Sequence, residues 1–313
     1  MRAKSLIYLT KLNDFCYLHK CNKYDISTEY LMMEVNMYAD ITQQIIKKIE
    51  DGCPPWLRPY NKFGGGLPLR HNGVPYRGMN IIMLWMCDYD NPYWMTYNQA
   101  QQLGGQVPYN CKSPTKVFHF GTGKDKDKED KFYSYAKAYS VFNASQITGL
   151  PDHYYPKQEL YINADKPVAS IDKQLADIPA KVVEVDGCTP CYRPSTDEVN
   201  MPPWSDFVDG LAYYSTKIHE LVHWTGHESR LDRLGLKNKK GYAFEELVAE
   251  MGASFMMAQL GLEPTARDDH AKYISSWLQA LNNDVKYVFE AAKVAQRAVE
   301  LLNSHTAEDV AIA

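Results

Sequence analysis

The chain contains no apolar run approaching the ~20 residues that a membrane-spanning helix needs. The short run Ile81-Ile82-Met83-Leu84-Trp85-Met86 suits a buried helix instead. Met1 to Leu12 carries basic residues but no continuous apolar core, which makes a poor signal peptide. Cysteine is sparse: seven residues, an odd number, scattered along 313 positions. That argues against a disulfide framework and for reduced thiols in a cytoplasmic protein with no membrane partner. Cys188-Thr189-Pro190-Cys191 has C-x-x-C spacing, but no second pair or nearby histidine completes a zinc ribbon, so a turn before a strand is expected. There is no internal repeat. The charge-dense stretch Gly123 to Lys131 alternates in sign and reads as an exposed loop rather than a polyanion site. The formal net charge of −4 means that composition by itself predicts no nucleic-acid partner.

What the chain does have is His219-Glu220-Leu221-Val222-His223, the H-E-x-x-H pattern of zinc peptidases, in a stretch that can be helical from Phe207 onward. Residues four apart share a helix face, so both imidazoles can reach one metal. Glu220 beside them can take a proton from water at that metal. A second helix is expected through Phe244-Glu245-Glu246-Leu247-Val248-Ala249-Glu250-Met251-Gly252, with Glu246 and Glu250 on one side near the small residues Ala243, Ala253 and Ser254. A catalytic zinc takes three protein ligands and keeps a fourth position open. His219, His223 and Glu246 complete that set for Zn2+ or another divalent metal, with Glu220 as general base. Glu250 would accept the other ring N–H of a ligand histidine. His227 as third ligand fails, because Gly226 is expected to end the helix and the metzincin pattern would need histidine where Ser229 stands. His227, Arg230 and Tyr242 remain candidates for substrate contact or oxyanion stabilisation.

Length and an apolar content of 45% allow two ordinary domains, and the mixture of helices and strands reads as α+β. Residues 1–36 form a leader, mobile or preceding the authentic start. The first domain covers 37–150, a linker 151–166, and the second domain 167–313. In the first, a helix begins near Ala39-Asp40 and carries an Ile41, Ile45, Ile49 stripe. Asn72-Gly73 marks a tight turn, and strands are expected at Thr115–Phe120 and Ala138–Asn143. In the second, a helix runs through Ile171, Leu175 and Ile178, a strand through Lys181–Val185, and a hairpin from Tyr192 to Pro203.

Charge is uneven: between Asp40 and Leu150 there are 13 Lys/Arg against 9 Asp/Glu. The same half is rich in aromatics. Stacked bases contribute ~1–3 kcal/mol each on such side chains, which would suit single-stranded DNA. Trp56, Tyr76, Arg58, Lys62, Arg70, Arg77, Lys112 and Lys116 are the candidate contacts.

Several motifs together resemble the ArdC-type antirestriction proteins of plasmids and other mobile elements. They are Ile45 to Trp56, Pro75-Tyr76-Arg77-Gly78-Met79-Asn80-Ile81, Tyr139 to Gln146, Tyr192 to Asp197, Met201-Pro202-Pro203, His219 to His227, and Glu245 to Ala253. The likeness runs over roughly residues 38 to 305. It implies an amino-terminal single-stranded-DNA-binding domain, a carboxy-terminal zincin-like metallopeptidase domain acting on an unknown protein or peptide, and protection of incoming DNA during transfer. Two rival expectations stay open: a DNA-coating protein whose metal only braces the fold, and a regulatory peptidase that cleaves a repressor.

Overall fold

A computed structural model describes residues 25–57, 66–87, 89–112, 114–124, 132–156, 162, 164–234, 241–265 and 271–306. The leader before Asp25, Arg58, Lys62 and most of the 123–131 loop therefore lie outside the described residues.

The first helix, α1, spans Asp25–Glu50. It starts earlier than the expected Ala39, because no glycine or proline interrupts the chain from Asp25 to Asp51. Ile41, Ile45, Ile46 and Ile49 are its buried stripe. It stops at Gly52, whose φ of 79° supplies the left-handed turn, with Cys53 N–H donating back to the Lys48 carbonyl at 2.9 Å. Next come β1 (Leu69–Arg70), α2 (Met79–Trp85), β2 (Tyr93–Met95) and α3 (Tyr97–Gln102). A long hairpin, β3 (Thr115–Lys124) and β4 (Phe132–Asn143), follows. These strands form one sheet in the order β1-β2-β4-β3, with β1 parallel to β2 and the other pairs antiparallel. The Asn72-Gly73 turn folds as expected: Arg70 N–H donates to the Val74 carbonyl at 2.9 Å, and Gly73 has φ 79°.

The second half opens with α4 (Ala169–Ala176), then β5 (Lys181–Glu184), β6 (Cys191–Arg193) and β7 (Glu198–Met201). The sheet order is β5-β7-β6, with β5 parallel and β6 antiparallel to the central strand. Cys188 and Cys191 bracket the turn into β6 as free thiols. Four helices complete the fold: α5 (Gly210–Trp224), α6 (Tyr242–Gln259), α7 (Ala271–Asn283) and α8 (Tyr287–Thr306).

Helix α6 is the centre of the molecule, buried from Phe244 to Ala258 and packed on both α5 and α8. One contiguous apolar cluster joins α1, α2 and Trp56 to α5, α6, α7 and α8. Tyr38 meets Phe289 edge-on at 4.6 Å, Trp56 meets Trp277 at 5.7 Å, and Trp85 meets Phe255 at 5.9 Å. The halves thus share a core. A smaller cluster around Met95, Ala100, Ala144 and Ile147 lies apart from it. Among the described residues no helix is long and apolar enough to cross a membrane.

Candidate metal centre

An all-buried helix is normally apolar, and a carboxylate left there without partners costs several kcal/mol. Helix α6 nevertheless buries Glu245, Glu246 and Glu250. Their histidine partners come from α5, which starts at an Asp209 cap, whose carboxylate accepts the Ala212 N–H at 2.8 Å, and runs unbroken through both histidines. Close approach of the two helices depends on Gly252: a Cβ there would sit 2.9 Å from Val222 Cγ2.

At this crossing His219 Nε2 and His223 Nε2 lie 3.1 Å apart. Glu246 Oε2 is 3.5 Å from the first nitrogen, and Glu246 Oε1 is 3.5 Å from the second. Ligand atoms at 2.0–2.1 Å from a tetrahedral zinc are separated by about 3.3 Å. The three donors therefore have the spacing of one face of such a site, and they form the one group of three or more potential ligands found among the described residues. This set can hold a divalent metal.

The far nitrogens of the two rings face different glutamates. His223 Nδ1 meets Glu245 Oε1 at 3.3 Å, and His219 Nδ1 lies 3.7 Å from Glu250 Oε1, beyond hydrogen-bond length. Glu245 was missed in the sequence, and so was Arg233. The Arg233 guanidinium donates to Glu245 Oε1 at 2.8 Å and Oε2 at 3.1 Å, to Thr225 Oγ1 at 2.8 Å and to the Val222 carbonyl at 2.7 Å. Burial would raise the Glu245 carboxyl, but hydrogen bonds from His223 and Arg233 outweigh it and hold it below the usual range. Glu246 is likewise depressed, its burial offset by both histidines. Burial opposes charge on His223, yet Glu245, Glu246 and Glu220 together push its imidazole up to about 10. A divalent ion held by these donors would compete with a proton on His223.

Glu220 faces the three-stranded sheet. Its Oε2 accepts the backbone N–H of Tyr192, on edge strand β6, at 2.8 Å. Tyr242 opens α6, and burial together with hydrogen bonds to Tyr273 and Glu246 holds its phenol well above the ordinary value. Arg230 is engaged by the hairpin: it pairs with Asp197 (Nη1 to Oδ2, 3.0 Å), donates to the Tyr192 hydroxyl at 3.2 Å, and lies over the Trp224 ring at 3.9 Å. It braces the β6–β7 hairpin against the end of α5. His227 accepts the Ser229 N–H in a turn at 3.2 Å.

The nucleic-acid candidates fare unevenly. Trp56 is fully buried against Trp277, and Tyr76 is buried, its phenol pushed up to about 12 by desolvation. Rings so placed present no face to a base, which corrects both expectations. Arg77 pairs with Glu300 of α8, and Lys116 donates to Ser140 Oγ at 2.7 Å. Arg70 lies over the Tyr76 ring at 5.5 Å and Lys112 over Tyr89 at 5.9 Å. The hairpin register shows what the sequence reading passed over. Val117 opposes Tyr139 and His119 opposes Lys137, so Tyr139, His119 and Lys137 share one face, opposite to Lys116. All three are exposed.

Comparison with known proteins agrees with this architecture. Residues 35–142 match the family model described as the N-terminal domain of anti-restriction factor ArdC, and residues 169–294 match that of a zincin-like metallopeptidase. The crystal structure of the antirestriction ArdC protein from plasmid R388, metal-free, superposes with a TM-score of 0.75 at 40% identity, covering 86% of this chain and 97% of that one. Its Mn(II)-bound form gives 0.74, also at 40% identity, with 87% and 98% covered. The uncharacterised protein y4eC of Sinorhizobium fredii is 32% identical over 291 residues, 87% of this chain and 93% of that one. DNA primase TraC of Escherichia coli is 33% identical over 280 residues, which span 82% of this chain but 19% of the primase. With this likeness over nearly the full length of the R388 protein and of y4eC, the chain belongs to the ArdC family of antirestriction proteins.

Proposed function

We propose that the chain is an antirestriction protein of a mobile element that binds single-stranded DNA through residues 37–150. Residues 167–313 would carry a metal-dependent peptidase. The observation that carries the peptidase reading is the donor triangle of His219, His223 and Glu246, beside a carboxylate, Glu220, that is not part of it. Two imidazoles and one carboxylate suit Zn2+, and a relative that is known in a Mn(II)-bound form supports a divalent cation for this chain. A cation held there polarises a peptide carbonyl and makes nearby water acidic enough to ionise near neutral pH.

The remaining steps belong to the chain's own groups. Glu220, oriented by the Tyr192 N–H, takes the proton of the attacking water and passes it to the departing amine. Strand β6 lies at the edge of its sheet beside Glu220, so an extended peptide added to that edge runs past the general base.

For the strand, the exposed Tyr139, His119 and Lys137 form a platform with one stacking ring and basic neighbours, and Arg70 and Lys112 supply further cations. Tyr139→Ala should weaken binding of a single-stranded oligonucleotide by roughly 5- to 100-fold, the equivalent of one stacked base.

The decisive variant is Glu220→Gln, which keeps the metal donors and removes the base. The proposal expects unchanged cation and strand binding with loss of peptide hydrolysis. If protection of transferred DNA persists in that variant, hydrolysis is dispensable and the metal acts as a brace.

A further inference from the structure

Four aromatic side chains run in file from the first half of the chain to the metal centre. Trp56 meets Trp277 of α7 edge-on, with centroids 5.7 Å apart. Trp277 stacks on Tyr273, one turn earlier, at 5.8 Å and 29°. The Tyr273 and Tyr242 hydroxyls meet at 3.2 Å. Tyr242 and Glu246 lie four apart on α6 and so share a face. The Trp277 indole N–H also donates to the Ala243 carbonyl at 2.8 Å. These contacts fall where α6 lacks local support, since its first turn follows Gly241 and has no side-chain cap.

Trp56 and Trp277 could be read simply as core. Tyr242 cannot: the residue is 67% exposed, so packing alone does not fix it. Its hydroxyl is fixed instead by that of Tyr273, and the residue stands one helical turn before Glu246 on α6.

We propose that Trp56, Trp277 and Tyr273 are positioning residues that set the Tyr242 hydroxyl against Glu246, so that the metal centre is completed from the first half of the chain. The inference rests on the reading of His219, His223 and Glu246 as metal ligands. A hydrogen bond to a ligand carboxylate orients it and tunes its basicity. The register of that bond is inherited, contact by contact, from an indole just beyond α1.

The test is a double-mutant cycle on the full-length protein, read by Co2+ titration and by the visible ligand-field spectrum of the bound ion. Tyr242→Phe should weaken Co2+ binding by about 10-fold, and Tyr273→Phe by about 5-fold, the value of one neutral hydrogen bond. The double variant should match Tyr242→Phe alone, because the two act in series. Trp56→Phe should alter the spectrum when Tyr242 is present and leave it unaltered in the Tyr242→Phe background. Wild-type affinity in Tyr273→Phe, losses that multiply in the double variant, or a Trp56→Phe effect that persists undiminished without the Tyr242 hydroxyl would each overturn the relay while leaving the metal site standing. A wild-type chain that binds no Co2+ would overturn both.

Discussion

Arg233→Met probes the support behind the metal centre most directly. Arg233 and Glu245 are 8% and 4% exposed at their side chains, and the guanidinium makes four hydrogen bonds within 3.1 Å. Its removal leaves a carboxylate buried beside His223 and takes one donor each from Thr225 Oγ1 and the Val222 carbonyl, which keep their bond to each other at 2.6 Å. Breaking one side of a buried pair costs about 3–5 kcal/mol. At about 2–4 °C per kcal/mol, thermal unfolding of the metal-free protein should move down by roughly 6–20 °C. Arg233→Met combined with Glu245→Leu should recover most of that loss, because an apolar replacement of the whole pair is close to neutral. Cation affinity should not recover. His223 then lacks the acceptor at its far nitrogen, and affinity stays about 10–100-fold down. Calorimetry and Zn2+ titration on the three proteins separate the two effects. A fall of less than about 1 kcal/mol for Arg233→Met, the size of an ordinary surface change, would refute the reasoning.

Gly252→Ala should push Val222 and α5 away from α6. It should cost about 1–3 kcal/mol by overpacking and weaken cation binding in the same protein, both measurable by thermal melts with and without Zn2+. Because the carboxylates raise His223 to about 10, an incoming cation displaces a proton; Zn2+ affinity should rise with pH from 6 toward 9, with proton release seen in weakly buffered titrations. Asp197 is held below the ordinary carboxylate range chiefly by its hydrogen bond from Arg230. The stability it adds is present above about pH 4 and is lost as pH falls through the depressed value. Asp197→Asn, which also tolerates the φ of 53°, should flatten that part of the acid-unfolding curve. Trp56→Ala should cost about 3–5 kcal/mol in urea unfolding while leaving oligonucleotide affinity of the folded protein unchanged.

The grouping of His219, His223 and Glu246 was legible because its information is local. H-E-x-x-H and the Glu246 helix are spacings within single helices, and helical geometry alone brings their ligands to one face. Which glutamate serves which imidazole was not legible. Glu245 and Glu250 flank Glu246 at positions that both look inward, and only the α5–α6 crossing assigns the first to His223 and sets the second beside His219. Arg233 comes from the segment after α5, with no spacing to announce it. Trp56 and Tyr76 were misread as nucleotide contacts because an aromatic beside cations looks alike in a core and in a groove; burial is a tertiary property. Tyr139 and Lys137 needed the β3–β4 register, which pairs residues far apart in sequence. The same holds for β5, whose parallel partner β7 lies beyond β6.

The apolar cluster that joins Ile45, Trp56 and Ile81 to Leu247, Trp277 and Val288 has a practical consequence for anyone dissecting this protein. A cut within 151–166 separates two sequence segments but not two water-compatible bodies, since each would carry half of an oily seam. Made alone, the segment with the histidines should precipitate or recruit chaperones. Made together as two polypeptides, the fragments should find one another and restore the cation site without a covalent link. Split-fragment complementation thus becomes a natural handle on this protein, with metal capture as its reporter.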